Sequence, residues 1–279
     1  MANKVYDIVT DKIIDELRSG VVPWHKPWRS TGGFPVNMVT KKPYRGVNIL
    51  LLGMAGYSNP YWGTFKQITE AGGQVRKGEK STLIVFFKVV SNEDDPDSES
   101  DGARYAVLRY YRVFNVTQAD GLAEKFPAPE RPEPVPPPEA VEHLRSLYID
   151  SPRIVHDHNK ASYSWVTDTV HMPNVEDFDT TDDYAATLFH ELVHSTGHES
   201  RLNRDMQNTF GSTSYAKEEL IAEVGTAFLC ETYGIAHVAK SASYIESWIK
   251  RLSNDHTLIV YAAGRASTAV DYMMSRTEV

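Results

Sequence analysis

The five residues His190-Glu191-Leu192-Val193-His194 constrain the folding of this 279-residue chain more than any other segment. Two histidines four positions apart reach one metal ion when the backbone is helical, because residues i and i+4 then lie on the same face. Glu191 lies beside the same ion without having to bind it, and it can accept a proton from a water molecule. The motif therefore predicts a helix with His190 and His194 as metal ligands and Glu191 as general base. Such a centre is typical of a zinc hydrolase, most often a peptidase.

The residues around this motif have the pattern of an amphipathic helix from about Asp182 to His198. Thr180 stands where an N-cap is expected, acidic residues follow in the first turn, and Gly197 stands where the helix could end. The apolar stripe has helical spacing and consists of Leu188, Phe189, Leu192 and Val193. The alternative, two ordinary histidines on a helix surface, is disfavoured by the acidic helix that follows.

That second helix is predicted from about Ser214 to Tyr233, with Gly234 as its C-terminal stop. Glu219 and Glu223 are four positions apart on a face that borders its apolar stripe. A catalytic zinc site takes three protein ligands and leaves one position open for water. The Glu-x-x-Ala-Glu arrangement resembles that of Glu-type zincins, in which the first glutamate is the third ligand. We predict from this resemblance that Glu219 is the third ligand and that Glu223, one turn further on, orients a ligand histidine.

Other assignments within the same two helices remain open. Glu218 and Glu223 are alternative third ligands, and so is His198, four residues beyond His194. A solvated acidic helix face is the alternative in which no glutamate binds metal. The candidates for stabilising an oxyanion are Tyr215, His198 and Tyr184.

Charge and composition divide the chain into two parts. Residues 1–90 carry a net charge of +7 and residues 91–279 a net charge of −15, so the two parts are expected to meet different partners. The proline-rich residues 126–139 predict an extended linker, and the acidic residues 91–102 predict a mobile hairpin insertion. Cys230 is the single cysteine and no apolar run has transmembrane length, so we expect a cytoplasmic protein with no membrane partner.

The basic first part interleaves aromatic and positively charged residues in segments punctuated by glycine and proline. Aromatic rings can stack on unpaired bases while Lys and Arg follow the phosphates, so this composition suggests single-stranded nucleic acid as a partner. An aromatic core with a solvated basic surface is the alternative. The candidate DNA-binding residues are Trp24, Trp28, Tyr44, Arg45, Trp62, Lys77 and Lys80.

The remaining elements follow from periodicity and turn signals. Helices are predicted at about residues 5–19, 64–71 and 139–147, with two more after Lys240, and strands at 82–90 and 104–116. A hairpin is predicted at Ser162–Val166 and Thr169–Met172. A small sheet followed by two ligand-bearing helices resembles the arrangement of zincins, in which an edge strand beside the metal typically binds substrate backbone by strand addition. Residues 162–172 are the candidate for that strand.

Both parts of the chain resemble the ArdC-type antirestriction proteins, and the first part also resembles the start of some plasmid primases. The matching segments of the first part are Gly20-Val21-Val22-Pro23-Trp24, Lys26-Pro27-Trp28, Pro43 to Asn48, Tyr61 to Thr64 and Gly73 to Lys80. Those of the second part are His190 to His198, Arg201 to Arg204 and Tyr215 to Glu223. The resemblance covers nearly the whole chain.

This resemblance implies a two-domain α+β protein. Residues 1–125 would form a small mixed α/β domain that binds single-stranded DNA, and residues 140–279 a zincin-like metallopeptidase domain with one zinc ion. It further implies a bacterial protein of a conjugative plasmid that protects incoming DNA from host restriction. The protein substrate is open, and a component of the host restriction system is one candidate.

A second function remains as the alternative: a protein that coats single-stranded DNA and whose metal domain is non-catalytic. Structural zinc is usually held by four protein ligands, often cysteines, whereas three ligands and a base are predicted here. The sequence therefore favours the peptidase. A metal-dependent nuclease is disfavoured because phosphoryl-transfer sites are oxygen-rich and often hold paired metals.

Overall fold

The computed structural model describes residues 2–25, 33–91, 104–130, 133–205, 213–236 and 242–275. Trp28 and residues 92–102 of the expected acidic insertion lie outside these ranges. The elements before residue 121 are α1 (Ala2–Arg18), β1 (Val36–Asn37), α2 (Val47–Met54), β2 (Tyr61–Gly63), α3 (Phe65–Glu70), β3 (Gln74–Val75), β4 (Thr82–Ser91), β5 (Arg104–Asn115) and β6 (Ala119–Asp120). Those after residue 136 are α4 (Pro137–Leu147), β7 (Arg153–His156), β8 (Ser162–Ser164), β9 (Thr169–Met172), α5 (Thr181–Ser195), α6 (Thr213–Tyr233), α7 (Ala242–Asn254) and α8 (Leu258–Met274). This mixture of helices and sheets confirms the predicted α+β class.

A four-stranded sheet in the order β1-β2-β5-β4 lies in the N-terminal part. β1 and β2 run parallel, while β5 pairs antiparallel with β2 and with β4. The long β4–β5 pair confirms the strands predicted at 82–90 and 104–116. Thr64 caps α3, because its side chain accepts from the Gln67 N–H and the Gln67 side chain accepts from the Thr64 N–H. This capping box explains why the predicted helix begins there.

The small sheet of the C-terminal part has the order β7-β9-β8. β8 and β9 form the predicted antiparallel hairpin, but β8 ends at Ser164 rather than at Val166. The residues after Ser164 form the turn, in which Asp168 has a φ of 45°. β7 runs parallel to β9 and was not predicted, because four residues are too short for a periodicity signal. Within the described chain β8 is therefore an edge strand of this sheet.

One hydrophobic core includes residues of both parts of the chain. α1 contacts α7 and α8, and its buried Val9 belongs to the same cluster as Phe189 of α5 and Phe228 of α6. The ring of Trp24 meets that of Trp248 edge-on, with 6.0 Å between ring centroids. The segment that begins with α1 and ends near Trp24 thus packs on helices of the C-terminal part.

The stretch between the two parts is tied to the C-terminal helices. α4 begins at Pro137, close to the predicted start at residue 139, and proline is favoured in a first helical turn. The Val135 N–H donates to the Tyr233 carbonyl at the end of α6, at 3.0 Å. The domain boundary at residues 126–139 stays a prediction. None of the helices in the described ranges is both long enough and apolar enough to cross a membrane.

α5 and α6 approach each other closely at a single glycine. A Cβ atom added at Gly225 of α6 would lie 2.9 Å from each γ carbon of Val193 on α5. Since Val193 has a stiff, β-branched side chain, it cannot easily move aside. The missing side chain at Gly225 therefore permits the approach that brings Glu219 of α6 toward the two histidines of α5.

We expect Gly225→Ala to lower the free energy of unfolding by about 1–3 kcal/mol, because the new methyl group overlaps Val193. Gly264→Ala is the matched control, since Gly264 lies inside α8 with no atom within 4 Å of its Cβ position. There alanine should stabilise the protein by about 0.5–1 kcal/mol. Chemical denaturation of both variants measures the two changes, and a shift of the same sign and size in both would contradict tight packing at Gly225.

Candidate functional site

The helix that carries the histidine motif begins at the predicted cap. The Thr180 hydroxyl oxygen accepts from the Asp183 N–H at 3.1 Å, and α5 runs from Thr181 to Ser195. The helix ends three residues before its predicted end at His198, and the Gly197 N–H donates to the His194 carbonyl at 2.8 Å. Both motif histidines therefore lie in the last turns of a well-capped helix.

The structure brings the three predicted ligands together. His190 Nε2 and His194 Nε2 are 3.1 Å apart, and Glu219 places one carboxylate oxygen 3.8 Å from the first and the other 3.6 Å from the second. A tetrahedral site with ligand bonds of about 2.0–2.1 Å separates its ligand atoms by roughly 3.3 Å. Two imidazoles and one carboxylate at these separations fit a zinc-sized ion and leave a fourth position for water or substrate.

Among the described residues, the alternative ligand His198 is not part of this group. Because α5 ends at Ser195, the chain turns away before His198 can continue the helical face of the motif. His198 Nδ1 instead lies 2.8 Å from the Ser200 hydroxyl.

Glu218 contacts the ring nitrogen of His194 that faces away from the ligand group. Glu218 Oε1 lies 3.2 Å from His194 Nδ1, and Arg204 donates to both Glu218 oxygens, at 2.7 and 2.9 Å. Burial alone would raise the pKa of Glu218, but the hydrogen bonds from His194 and Arg204 and their charges lower it to about 2. Glu218 is thus a charged carboxylate that fixes the His194 ring rather than an alternative ligand. Arg204 lies in one of the segments that carry the family resemblance, but no pattern of residues around it indicates this role.

The structure corrects the role predicted for Glu223. Its Oε2 atom lies 3.1 Å from His25 Nε2, and both side chains are buried. One helical turn beyond Glu219, α6 has passed the ligand histidines and faces the segment that follows α1. The carboxylate that contacts the predicted ligand His194 is therefore Glu218, and Glu223 joins α6 to the N-terminal segment.

Glu191 is a buried residue of α5, and this helix contacts the edge strand β8. Burial raises the pKa of Glu191, and the negative charge of Glu219 raises it further. The charge of His194 and the backbone N–H of Tyr163, which donates to Glu191, lower this pKa. The net pKa is above the ordinary value for a glutamate. A buried carboxylate with a raised pKa, next to three converging ligand atoms, has the position and basicity that a general base needs.

The two tyrosines among the oxyanion candidates lie in different surroundings. Tyr215 hydrogen-bonds Glu219, and burial together with the Glu219 charge raises the pKa of Tyr215 to about 12, so its hydroxyl keeps its proton at neutral pH. The Tyr184 hydroxyl lies 3.0 Å from His156 Nε2 and its ring stacks on His156, near the start of α5. Tyr215 is thus the candidate in direct contact with a predicted metal ligand.

Burial contradicts the DNA-stacking role predicted for three aromatic residues. Trp24, Tyr44 and Trp62 are 1%, 6% and 2% exposed. Trp24 packs on Trp248, while Tyr44 and Trp62 belong to a small core with Leu52, Ile84 and Val113. Side chains enclosed in this way cannot stack on a base. These three aromatic residues anchor the core instead.

The charged candidates for DNA binding are exposed. Arg45 forms an ion pair with Asp271 of α8. Lys77 and Lys80 lie in the loop that leads from β3 into β4, and both are exposed. Arg76 of the same loop is paired with Glu79. The side chains of Lys77 and Lys80 are therefore accessible, as contact with a phosphate requires.

Exposed aromatic residues lie instead on β4 and β5. Phe86 and Tyr111 are 47% and 46% exposed, and their rings meet edge-on with 5.7 Å between centroids. Arg109 is paired with Phe86 across the two strands, so it lies on the same face of the sheet. We call Phe86, Arg109 and Tyr111 the β4–β5 aromatic surface. Sequence reasoning missed it, although Arg109 and Tyr111 are two residues apart, the spacing of one strand face.

Two family models match different parts of the chain. A family model described as the N-terminal domain of anti-restriction factor ArdC matches residues 3–114. A second model, described as a zincin-like metallopeptidase, matches residues 144–265. The second part is therefore a zincin-like metallopeptidase domain, a fold that implies a metal ion.

Solved structures and curated relatives extend this similarity over nearly the whole chain. The crystal structures of the antirestriction ArdC protein from plasmid R388, metal-free and Mn(II)-bound, are 35% and 36% identical, each with a TM-score of 0.78 and 96% of both chains covered. The uncharacterised protein y4eC of Sinorhizobium fredii is 36% identical over 96% of this chain and 91% of its own length. Two DNA primases TraC of Escherichia coli are 37% and 35% identical over 97% of this chain, which spans 27% and 20% of their lengths. The chain belongs to the ArdC family of antirestriction proteins.

Proposed function

We propose that this protein is a zinc-dependent peptidase that also binds single-stranded DNA. It would act in the bacterial cytoplasm, where it protects DNA arriving by conjugation from host restriction. The observation that carries the peptidase is the convergence of His190, His194 and Glu219 with the buried Glu191 beside them. The Mn(II)-bound structure of a relative supports a divalent metal, and the imidazole-rich ligand set favours zinc.

The chain's own residues supply the proton transfers of peptide hydrolysis. His190, His194 and Glu219 would hold the zinc ion, which when bound polarises a peptide carbonyl and acidifies a water molecule. Glu191 would accept the proton of the attacking water and return it to the leaving amine. The hydrogen bond from the Tyr163 N–H orients the Glu191 carboxylate during this transfer. Tyr215, protonated and next to Glu219, is the candidate donor to the developing oxyanion.

Glu191→Gln should keep its metal and lose peptide cleavage by about 10²–10⁴-fold, because an amide cannot accept the proton. Hydrolysis of a mixed peptide substrate by the zinc-loaded protein measures the loss, and elemental analysis of the same sample measures the metal. Metal-stripped wild-type protein sets the background rate. A metal-replete Glu191→Gln variant that cleaves at the wild-type rate would contradict the base assignment.

The same variant separates the peptidase from a protein that only coats DNA. Protection is measured as the transfer frequency of a plasmid into a restricting recipient relative to a non-restricting one. Loss of protection with Glu191→Gln supports the peptidase. Full protection by that variant, with DNA binding retained, would favour the coating function.

Substitution of three glutamates of α6, namely Glu218, Glu219 and Glu223, should weaken zinc binding to three different extents. Glu219→Ala removes a ligand and should weaken it most, while Glu218→Gln should weaken it about 10–100-fold, because Glu218 fixes the His194 ring. Glu223→Gln serves as the matched control, since Glu223 contacts the buried His25 and lies one helical turn beyond Glu219. Competition with a chromogenic chelator measures all three affinities. Equal losses for Glu218→Gln and Glu223→Gln would refute this division of roles.

The proposal for DNA binding rests on the β4–β5 aromatic surface. Two exposed rings and a guanidinium on one sheet face offer the stacking and phosphate contacts that single-stranded nucleic acid takes. Lys80 lies two residues before β4, so the basic loop with Lys77 leads onto this strand. The net charge of +7 on residues 1–90 gives the electrostatic attraction. The match of residues 3–114 to the ArdC N-terminal domain supports the same partner.

Phe86→Ala and Tyr111→Ala should each weaken binding of an oligothymidine by about 1–3 kcal/mol, because each would remove one stacked base. Fluorescence anisotropy at several salt concentrations measures the affinity, which should fall as salt rises. Tyr261→Ala is the control, since Tyr261 is 43% exposed on α8, outside this surface. Equal losses in all three variants, or a preference for duplex DNA, would argue against the surface.

A further inference from the structure

A cavity of about 480 Å³ opens between the β8–β9 turn and the segment that follows α5. The turn contributes Trp165 and Val166, which are 43% and 73% exposed. The opposite wall is polar and includes His198, Asn203 and Arg204. Two adjacent large apolar side chains exposed at the mouth of a cavity are a typical feature of a binding site.

The two walls of this cavity are held together by a buried arginine. Arg201 donates to both oxygens of Asp168 in the turn, at 2.9 and 2.7 Å, and to the carbonyl of Ser195 at the end of α5, at 2.9 Å. The Tyr163 hydroxyl also donates to Asp168, at 2.8 Å. These hydrogen bonds fix the turn that presents Trp165 relative to α5. The cavity is therefore preformed, which lowers the entropy cost of binding a ligand there.

Each wall is also continuous with the candidate metal centre. Trp165 is two residues beyond Tyr163, whose backbone N–H donates to Glu191. On the other wall, Arg204 donates to Glu218, which contacts His194. One wall of the cavity is thus linked to the predicted general base through Tyr163, and the other wall is linked to the predicted ligand His194 through Arg204 and Glu218.

We propose that this cavity is the subsite for a large apolar side chain of the peptide substrate, one to three residues before the cleaved bond. The proposal rests on the proposed peptidase function. A peptide that adds antiparallel to the edge strand β8, the commoner pairing, passes Trp165 before it reaches Tyr163 and Glu191. The residues before the cleaved bond therefore lie at the cavity, and Trp165 and Val166 supply its apolar contact.

Cleavage-site mapping in a peptide library tests the subsite with zinc-loaded full-length protein, with and without oligothymidine. Wild-type protein should select Leu, Met, Phe or Trp one to three residues before the cleaved bond. Trp165→Ser and Val166→Ser should each lower kcat/KM for such peptides about tenfold or more, with little change for peptides that carry glycine there. Trp165→Phe should keep the preference. Val175→Ser is the matched control, because Val175 is 41% exposed and does not line the cavity.

Each remaining outcome overturns the proposal in a recognisable way. Cleavage without an apolar preference, or a preference that survives both serine substitutions, overturns the subsite and leaves the peptidase intact. A preference confined to residues after the cleaved bond overturns the antiparallel placement and the subsite with it. Absence of any cleavage by the wild-type protein overturns both the subsite and the proposed function. Thermal denaturation of each variant verifies that it is folded. If Trp165→Ser does not fold, the Trp165→Phe and Val166→Ser variants alone test the subsite.

Discussion

The close packing of α6 on α5 is the contact on which the candidate metal centre depends. His190 and His194 come together through helical spacing alone, but Glu219 reaches them only because Gly225 lets α6 lie against Val193. The same approach places Glu218 beside the other ring nitrogen of His194. One packing contact between two helices therefore places both the predicted third ligand and the carboxylate that contacts a predicted ligand histidine.

Burial gives two glutamates of this centre opposite properties. A buried carboxylate costs free energy unless it is paired, and Glu218 is paired with Arg204 and His194, which hold its pKa at about 2. Glu191 receives the backbone N–H of Tyr163 rather than a guanidinium, so burial prevails and its pKa rises. Glu218 therefore stays charged as part of the scaffold, while Glu191 has the higher proton affinity that a base requires.

Local rules account for what the sequence predicted well. The caps and periodicity of α5 and α6 follow from nearby residues, and spacing alone limits the candidate ligands to one helical face. The choice between Glu218 and Glu223 depends instead on the angle and depth at which two helices cross, which spacing does not contain. The exposure of Phe86 and Tyr111 likewise depends on the order of strands in the sheet. Errors in the prediction therefore arose where tertiary packing, rather than periodicity, decides a residue's surroundings.

Two misassigned residues, Trp24 and Glu223, belong to the same buried contact. Trp24 packs on Trp248 of α7, and the neighbouring His25 meets Glu223 of α6 and stacks on Tyr244 of α7. Because a buried carboxylate needs its partner, α6 has its full set of contacts only when the N-terminal segment is docked. The helix that carries Glu219 is thus completed by residues from the other end of the chain, and Trp24 and His25 attach the N-terminal part to the metallopeptidase domain.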